Sequence, residues 1–181
     1  MPLLRGPTLV QRHRGDRKHR HLPDVNVDAF KVFLAFIYTN TYCLSVTADK
    51  NSWPGKFLLN LKVYVLADRL LMLDLKRKAY DHANSIREKI FPNWVYKQAA
   101  KYVYENTPNR YSDSAHEETT ATTTSEPNDK MRDLVSKMCC NNLDNLMDDS
   151  DFTAVFRSHG ELAQDILLFK MSDEGNYLSK H

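Results

Sequence analysis

Large apolar residues recur at helical spacing along most of the chain. In "VNVDAFKVFLAFIYTN" (residues 25–40), Phe30, Phe33, Leu34 and Ile37 fall at i, i+3, i+4 and i+7, one face of a helix. Val32 and Phe36 give that helix a second apolar face, and a helix apolar on two sides is expected to be buried on two sides. Asn26 is placed to cap it, with Asp28 in the first turn, where a carboxylate suits the positive helix end. The segment "TNTYCLSVTADKNSWPGK" breaks the pattern and predicts a long connection ending in the Pro54-Gly55 pair.

A second stripe follows. Leu58, Leu61, Val65 and Asp68 align, widened by Leu59, Leu66 and Ala67, and predict a helix to about Leu70. "LLMLD" interrupts it. Asp74 is placed to cap a further helix through Lys76, Ala79 and Ala83, with Leu71, Met72 and Leu73 expected to point inward at the corner. After Pro92, "NWVYKQAAKYVYENT" predicts a helix with Asn93 as its cap and Val95, Ala99 and Tyr102 on one side. The run 107–128, including "EETTATTTSEPN", is polar throughout and is expected to be a disordered linker. Helical spacing returns with Leu134, Val135 and Met138, then Leu143, Leu146 and Met147 after the Asn141-Asn142 break. Asp149 or Ser150 is expected to cap the next helix. Ser158 and Glu161 stand in capping-box spacing before Leu162, Ile166 and Phe169. Residues 171–181 are expected to fray. Strand signals are confined to pieces such as "TYCLSV", so the fold class is mainly α.

Composition adds location and excludes some classes. Among 181 residues, 42% are apolar and 27% charged, the balance of a globular protein. The longest apolar run, Val32 to Tyr38, is far short of the roughly 20 residues that a membrane span requires. Three cysteines, Cys43, Cys139 and Cys140, make a poor disulfide framework and point to a reducing compartment, cytoplasmic or nuclear. The net charge of +2 conceals an asymmetry: residues 1–21 hold six Lys/Arg and one acid, leaving the remainder acidic. With no aromatic residue or apolar period, that head reads as a basic disordered arm. Arg12, Arg14, Arg17, Lys18 and Arg20 are its candidates for contacting nucleic acid or a nuclear importer.

Two segments together resemble the second half of a BTB/POZ domain of the fungal type. They are "LPDVNVDAFKVFLAFIYTN" and, after a variable connection, "LLNLKVYVLADRLLMLDLKRKAYDHA". Tyr38-Thr39-Asn40 holds the place of the family's Tyr-Thr-Gly-like turn. Val63, Tyr64, Val65, Leu66, Ala67, Asp68, Leu75 and Ala79 match its second helical piece. "KYVYENTPN" is similar to a segment of the helical extension common in the fungal proteins. The likeness covers residues 22–106, and more loosely 129–170. It implies the helical half of an α+β BTB/POZ fold followed by a small helical extension, with the family's N-terminal half missing. By resemblance the function is protein–protein interaction, with oligomerisation or a ubiquitin-ligase adaptor role on a cullin scaffold. The domain plan is then a basic arm 1–21, a partial domain 22–106, a linker 107–128, an extension 129–170 and a tail 171–181. Phe30, Phe33, Phe36, Leu61 and Val65 become candidate partner-contact residues, since the missing half would normally cover them.

No residue pattern points to an enzyme. There is no Gly-rich phosphate loop and no Gly-x-Ser-x-Gly elbow. His13, His19 and His21 lack the spacing of a metal site, and "DDSD" at 148–151 lacks the Gly and distal Glu of a calcium loop. Asp68 and Asp74 are accounted for by helix placement. No catalytic, metal or cofactor residue is assigned, and no cofactor is expected.

Overall fold

The computed structural model describes residues 25–44, 52–90, 93–108 and 129–178, with side chains in the last segment described through Ser172. Among the described residues the chain is mainly α-helical and contains no β-strand. Among these residues eight α-helices follow in order: α1 Val27–Thr39, α2 Trp53–Arg69, α3 Leu73–Ile86, α4 Asn93–Asn106, α5 Lys130–Asn141, α6 Leu143–Met147, α7 Ser150–Ser158 and α8 Gly160–Leu178. A 3-10 turn, Arg87–Lys89, extends α3.

α1 begins where its sequence dictates. The Asn26 side chain accepts a hydrogen bond from the Ala29 backbone N–H, and Asn40 closes the helix in the left-handed region at φ 51°. The Asn40 N–H donates to the Phe36 carbonyl, satisfying one of the carbonyls a helix end leaves free. α2 starts earlier than its apolar stripe. Ser52 caps it through the Gly55 N–H, and Pro54 stands in the first turn. A proline there removes an N–H that has no helical partner in any case, so Pro54-Gly55 opens the helix where the sequence pattern predicted connection.

α2 is buried nearly all round. Phe57, Leu59, Leu61, Val63, Tyr64, Val65, Leu66 and Ala67 are all buried, against α1 and α4 as well as α3. The stripe Leu58–Leu61–Val65–Asp68 is thus part of a wider contact surface. Its end is a Schellman turn: Met72 N–H donates to the Ala67 carbonyl and Leu71 N–H to Asp68. That turn holds Leu71 at φ 58°. It aims the corner outward, correcting the inward expectation: Leu71 and Leu73 are 81% and 63% exposed, and only Met72 packs on the core. Asp74 makes no cap. It lies inside the first turn of α3 and pairs with Arg77.

The two helical regions share one core. α4 packs on α2 and also on α5, α7 and α8, and buried residues from α1 to α8 form one cluster. Val95, Ala99, Ala100 and Val103 bury α4, with small residues allowing close approach of its neighbours. Leu134, Val135, Met138, Leu146, Leu162 and Ile166 complete the core from the C-terminal side. Asp149 caps α7 as expected, accepting from the Asp151 and Phe152 N–H groups. Ser158 does not cap α8. Its hydroxyl donates back to the Val155 carbonyl, and Glu161 turns instead to Arg132. The backbone of residues 171–178, expected to fray, continues α8 to Leu178.

Candidate interaction surface

α1 presents two faces. Ala29, Val32 and Phe36 are buried against the rest of the fold, chiefly α2. On the opposite side Val27, Phe30, Leu34, Ile37 and Tyr38 are exposed, from 38% at Phe30 and Leu34 to 84% at Tyr38. At 100° per residue these five span an arc of roughly 100°, centred about 150° from the buried face. The expectation of a helix buried on both sides is therefore corrected. Ala29 lets α1 lie close on α2, and nothing among the described residues covers the other side.

The sequence-based contact candidates divide accordingly. Phe30 lies on the exposed stripe and Phe33 at its border, half-buried with its ring 5.6 Å from that of Phe30. Phe36, Leu61 and Val65 are buried in the chain's own core and present nothing to a partner. Val27, Leu34, Ile37 and Tyr38 take their place. Leu34 and Ile37 belong to the face read from the sequence. The missed signal is Ala29, whose small side chain marks the side of closest helix approach. Arg12, Arg14, Arg17, Lys18 and Arg20 lie outside the described residues, as do residues 109–128 of the expected linker. Thr107, assigned to that linker, is part of the fold: it is buried and holds Arg132.

A buried polar hub fixes the segment that leaves α1. Asn60 of α2 is fully buried. Its carboxamide nitrogen donates to the Lys56 carbonyl at 2.8 Å and meets His82 Nδ1 of α3 at 3.0 Å, while its oxygen accepts from the Tyr42 hydroxyl. All of its polar atoms are thus satisfied, as a buried amide requires. The contact makes Nδ1 of His82 an acceptor and leaves its proton on Nε2. Burial, then the nearby Lys56 charge, holds the His82 pKa below its ordinary value of 6.5. The Tyr42 ring lies 5.8 Å from that of His82. Tyr42 therefore ties the exit of α1 to both α2 and α3.

A second network locks α8 to α4 and α5. The Arg132 side chain is 1% exposed and donates from Nε to the Thr107 hydroxyl, from one terminal nitrogen to the Thr107 carbonyl, and from the other to Glu161. The Tyr104 hydroxyl donates to Asp165, and burial followed by that carboxylate raises the Tyr104 pKa. These bonds join helices to one another. Asp68 and Asp74 engage separate cations: Lys76 at 2.7 Å and Arg77 at 3.4 Å.

Other surface features are smaller. Leu167, Leu168 and Met171 are exposed on α8. A groove of about 340 Å³, bordered by Arg87, Ile90, Tyr96, Lys137 and Met138, lies at the small end for a ligand pocket. No group of three or more metal-ligating side chains occurs among the described residues. No helix among them is long and apolar enough to cross a membrane. No protein family, no curated protein and no solved structure matches the chain.

Proposed function

We propose that the chain is a protein–protein interaction module that docks polypeptide on the outer face of α1. The observation that carries this reading is the stripe Val27–Phe30–Leu34–Ile37–Tyr38: five large apolar side chains, contiguous and exposed, on a helix whose other side is anchored in the core. Exposed apolar patches of this kind mark contact surfaces, because each large side chain covered by a partner gains about 1.5–3 kcal/mol at full burial. The order α1, connection, α2, sharp corner, α3 supports reading the module as BTB/POZ-like. A cullin scaffold as partner, and a ubiquitin-ligase adaptor role, rest on that resemblance alone.

The test is a photo-reactive amino acid placed at position 34 of the full chain in living cells. Irradiation is expected to produce covalent adducts with polypeptide, reduced by Ile37→Lys in the same chain. Absence of any polypeptide adduct would overturn the proposal.

A further inference from the structure

The Asn60 amide can sit only one way round. Its nitrogen stands 2.8 Å from the Lys56 carbonyl oxygen, a group that accepts hydrogen bonds and never donates them. Turning the amide over would set two oxygens against each other there. The nitrogen side is therefore fixed, and the same nitrogen meets His82 Nδ1 at 3.0 Å. That contact is a hydrogen bond only while Nδ1 carries no proton. A proton on Nδ1 would set two donors against each other beside a fully buried side chain.

The groups that face the ring oppose the imidazolium. Lys56 of α2 is the charge acting on it, of the same sign, and the Lys56 ammonium is held over the Trp53 ring at 5.0 Å. Tyr42, from the α1 side, is the titratable group against the ring, and its hydroxyl is already given to Asn60. Burial raises the Tyr42 pKa, so Tyr42 is a neutral phenol and supplies no counter-charge. Within α3 itself, the Ser85 hydroxyl bonds the His82 carbonyl and not the ring. The imidazole is only half-buried, which leaves it a path to water.

Taking that path uncovers what the ring protects. The imidazole lies 5.8 Å from the Tyr42 ring and against the Asn60 amide, so it covers the bond between those two residues. Once it leaves, water competes for both ends of that bond. We infer that His82 is a proton-operated latch on the exit of α1: the neutral ring fastens residues 41–44 to α2 and α3 through Asn60 and Tyr42, and the protonated ring swings out and loosens them while the core behind stays folded. The latch is closed at neutral pH. It opens below the ordinary imidazole range, because burial, the Lys56 charge and the Asn60 bond all favour the neutral ring. It acts whatever docks on the outer face of α1.

Nitrogen-15 NMR of the full chain, titrated from about pH 7.5 to 4.5, tests this, with the His82 ring signals assigned by their loss in His82→Gln. At the upper end the ring is expected as the neutral tautomer protonated on Nε2. As it titrates, the backbone order parameters of residues 41–44 are expected to fall with the same midpoint, from about 0.85 to below about 0.6, while those of Val103 in α4 and Leu134 in α5 stay near about 0.85. In His82→Gln the fall is expected to vanish. Should the glutamine itself loosen the segment at neutral pH, the shared midpoint in the wild type decides. An imidazole that stays neutral throughout, residues 41–44 that keep their order while it titrates, or a loss of order shared equally by α4 and α5 would overturn the inference.

Discussion

The guanidinium of Arg132 lies 4.6 Å from the centre of the Tyr104 ring, and the two side chains grip α8 at different points: Arg132 holds Glu161, and Tyr104 holds Asp165. The pair ties α8 to α4 and α5 alongside the buried Leu162 and Ile166. Removing one partner from such a buried arrangement leaves the other's polar atoms without bonds, which typically costs about 3–5 kcal/mol. Arg132→Ala is expected to lower the unfolding free energy read from urea denaturation by an amount of that order. Glu161→Ala should cost less, because its side chain is 25% exposed and water replaces the lost partner. Equal losses from the two variants would contradict this account.

Leu71 is held in the left-handed region at φ 58° with its side chain 81% exposed. A non-glycine residue there costs about 1–2 kcal/mol, and this one recovers little by burial. Leu71→Gly removes the strain while loosening the unfolded chain, for a net gain of about 0.5–1 kcal/mol. Thermal denaturation should show a raised midpoint. Leu71→Ala, which keeps the Cβ, should not reproduce it.

His82 makes stability depend on pH. Burial, followed by Lys56, lowers its pKa below 6.5 in the folded chain. The unfolded state therefore binds more protons between 6.5 and that lower value. Stability is fully present above pH 6.5 and falls as the pH drops through that window toward the folded pKa. The groups facing the imidazole are Asn60 and Lys56 of α2 and Tyr42 beyond α1. Melting between pH 7.5 and 5 is expected to show a loss in the wild type that is smaller in His82→Gln, whose amide oxygen accepts a bond without titrating. Parallel curves for the two proteins would remove His82 as the cause.

The three cysteines should separate by reactivity. Burial pushes the Cys139 thiol up to about 12, whereas Cys43 and Cys140 are half-buried. Since the thiolate is the nucleophile, iodoacetamide at pH 8 should label Cys43 and Cys140 well before Cys139. Peptide mass spectrometry of the native protein reads the order directly. Early labelling at Cys139 would show that the core around α5 opens readily.

Much of the helix pattern was legible because apolar spacing and caps are local properties. Asn26 and Asp149 cap where their positions predict, and Leu134, Val135 and Met138 are buried as a stripe. Three features escaped because tertiary context or backbone geometry decides them. Pro54-Gly55 reads equally as a turn or a first helical turn, and Ser52 settles it as the latter. Three large apolar residues at one corner predict burial at Leu71–Leu73, but the Schellman turn fixes its direction. Of the contact candidates Phe30, Phe33, Phe36, Leu61 and Val65, expected to be uncovered by the missing half, the last three pack in the chain's own core, and the small residue Ala29 marks which side of α1 faces inward.

The outer face of α1 also predicts a contrast in stability. Phe36→Ala removes a side chain that is 5% exposed and should cost about 3–5 kcal/mol. Leu34→Ala, on the exposed side, should cost well under half as much. A Leu34→Ala loss equal to that of Phe36→Ala would mean that the chain itself covers the stripe.

The most direct measurement compares photo-reactive side chains at positions 34 and 78 of the same chain, since Lys78 is also exposed but lies on a polar part of α3. The account predicts polypeptide adducts at position 34 and few or none at 78. Equal yields at the two positions, or none at 34, would contradict it.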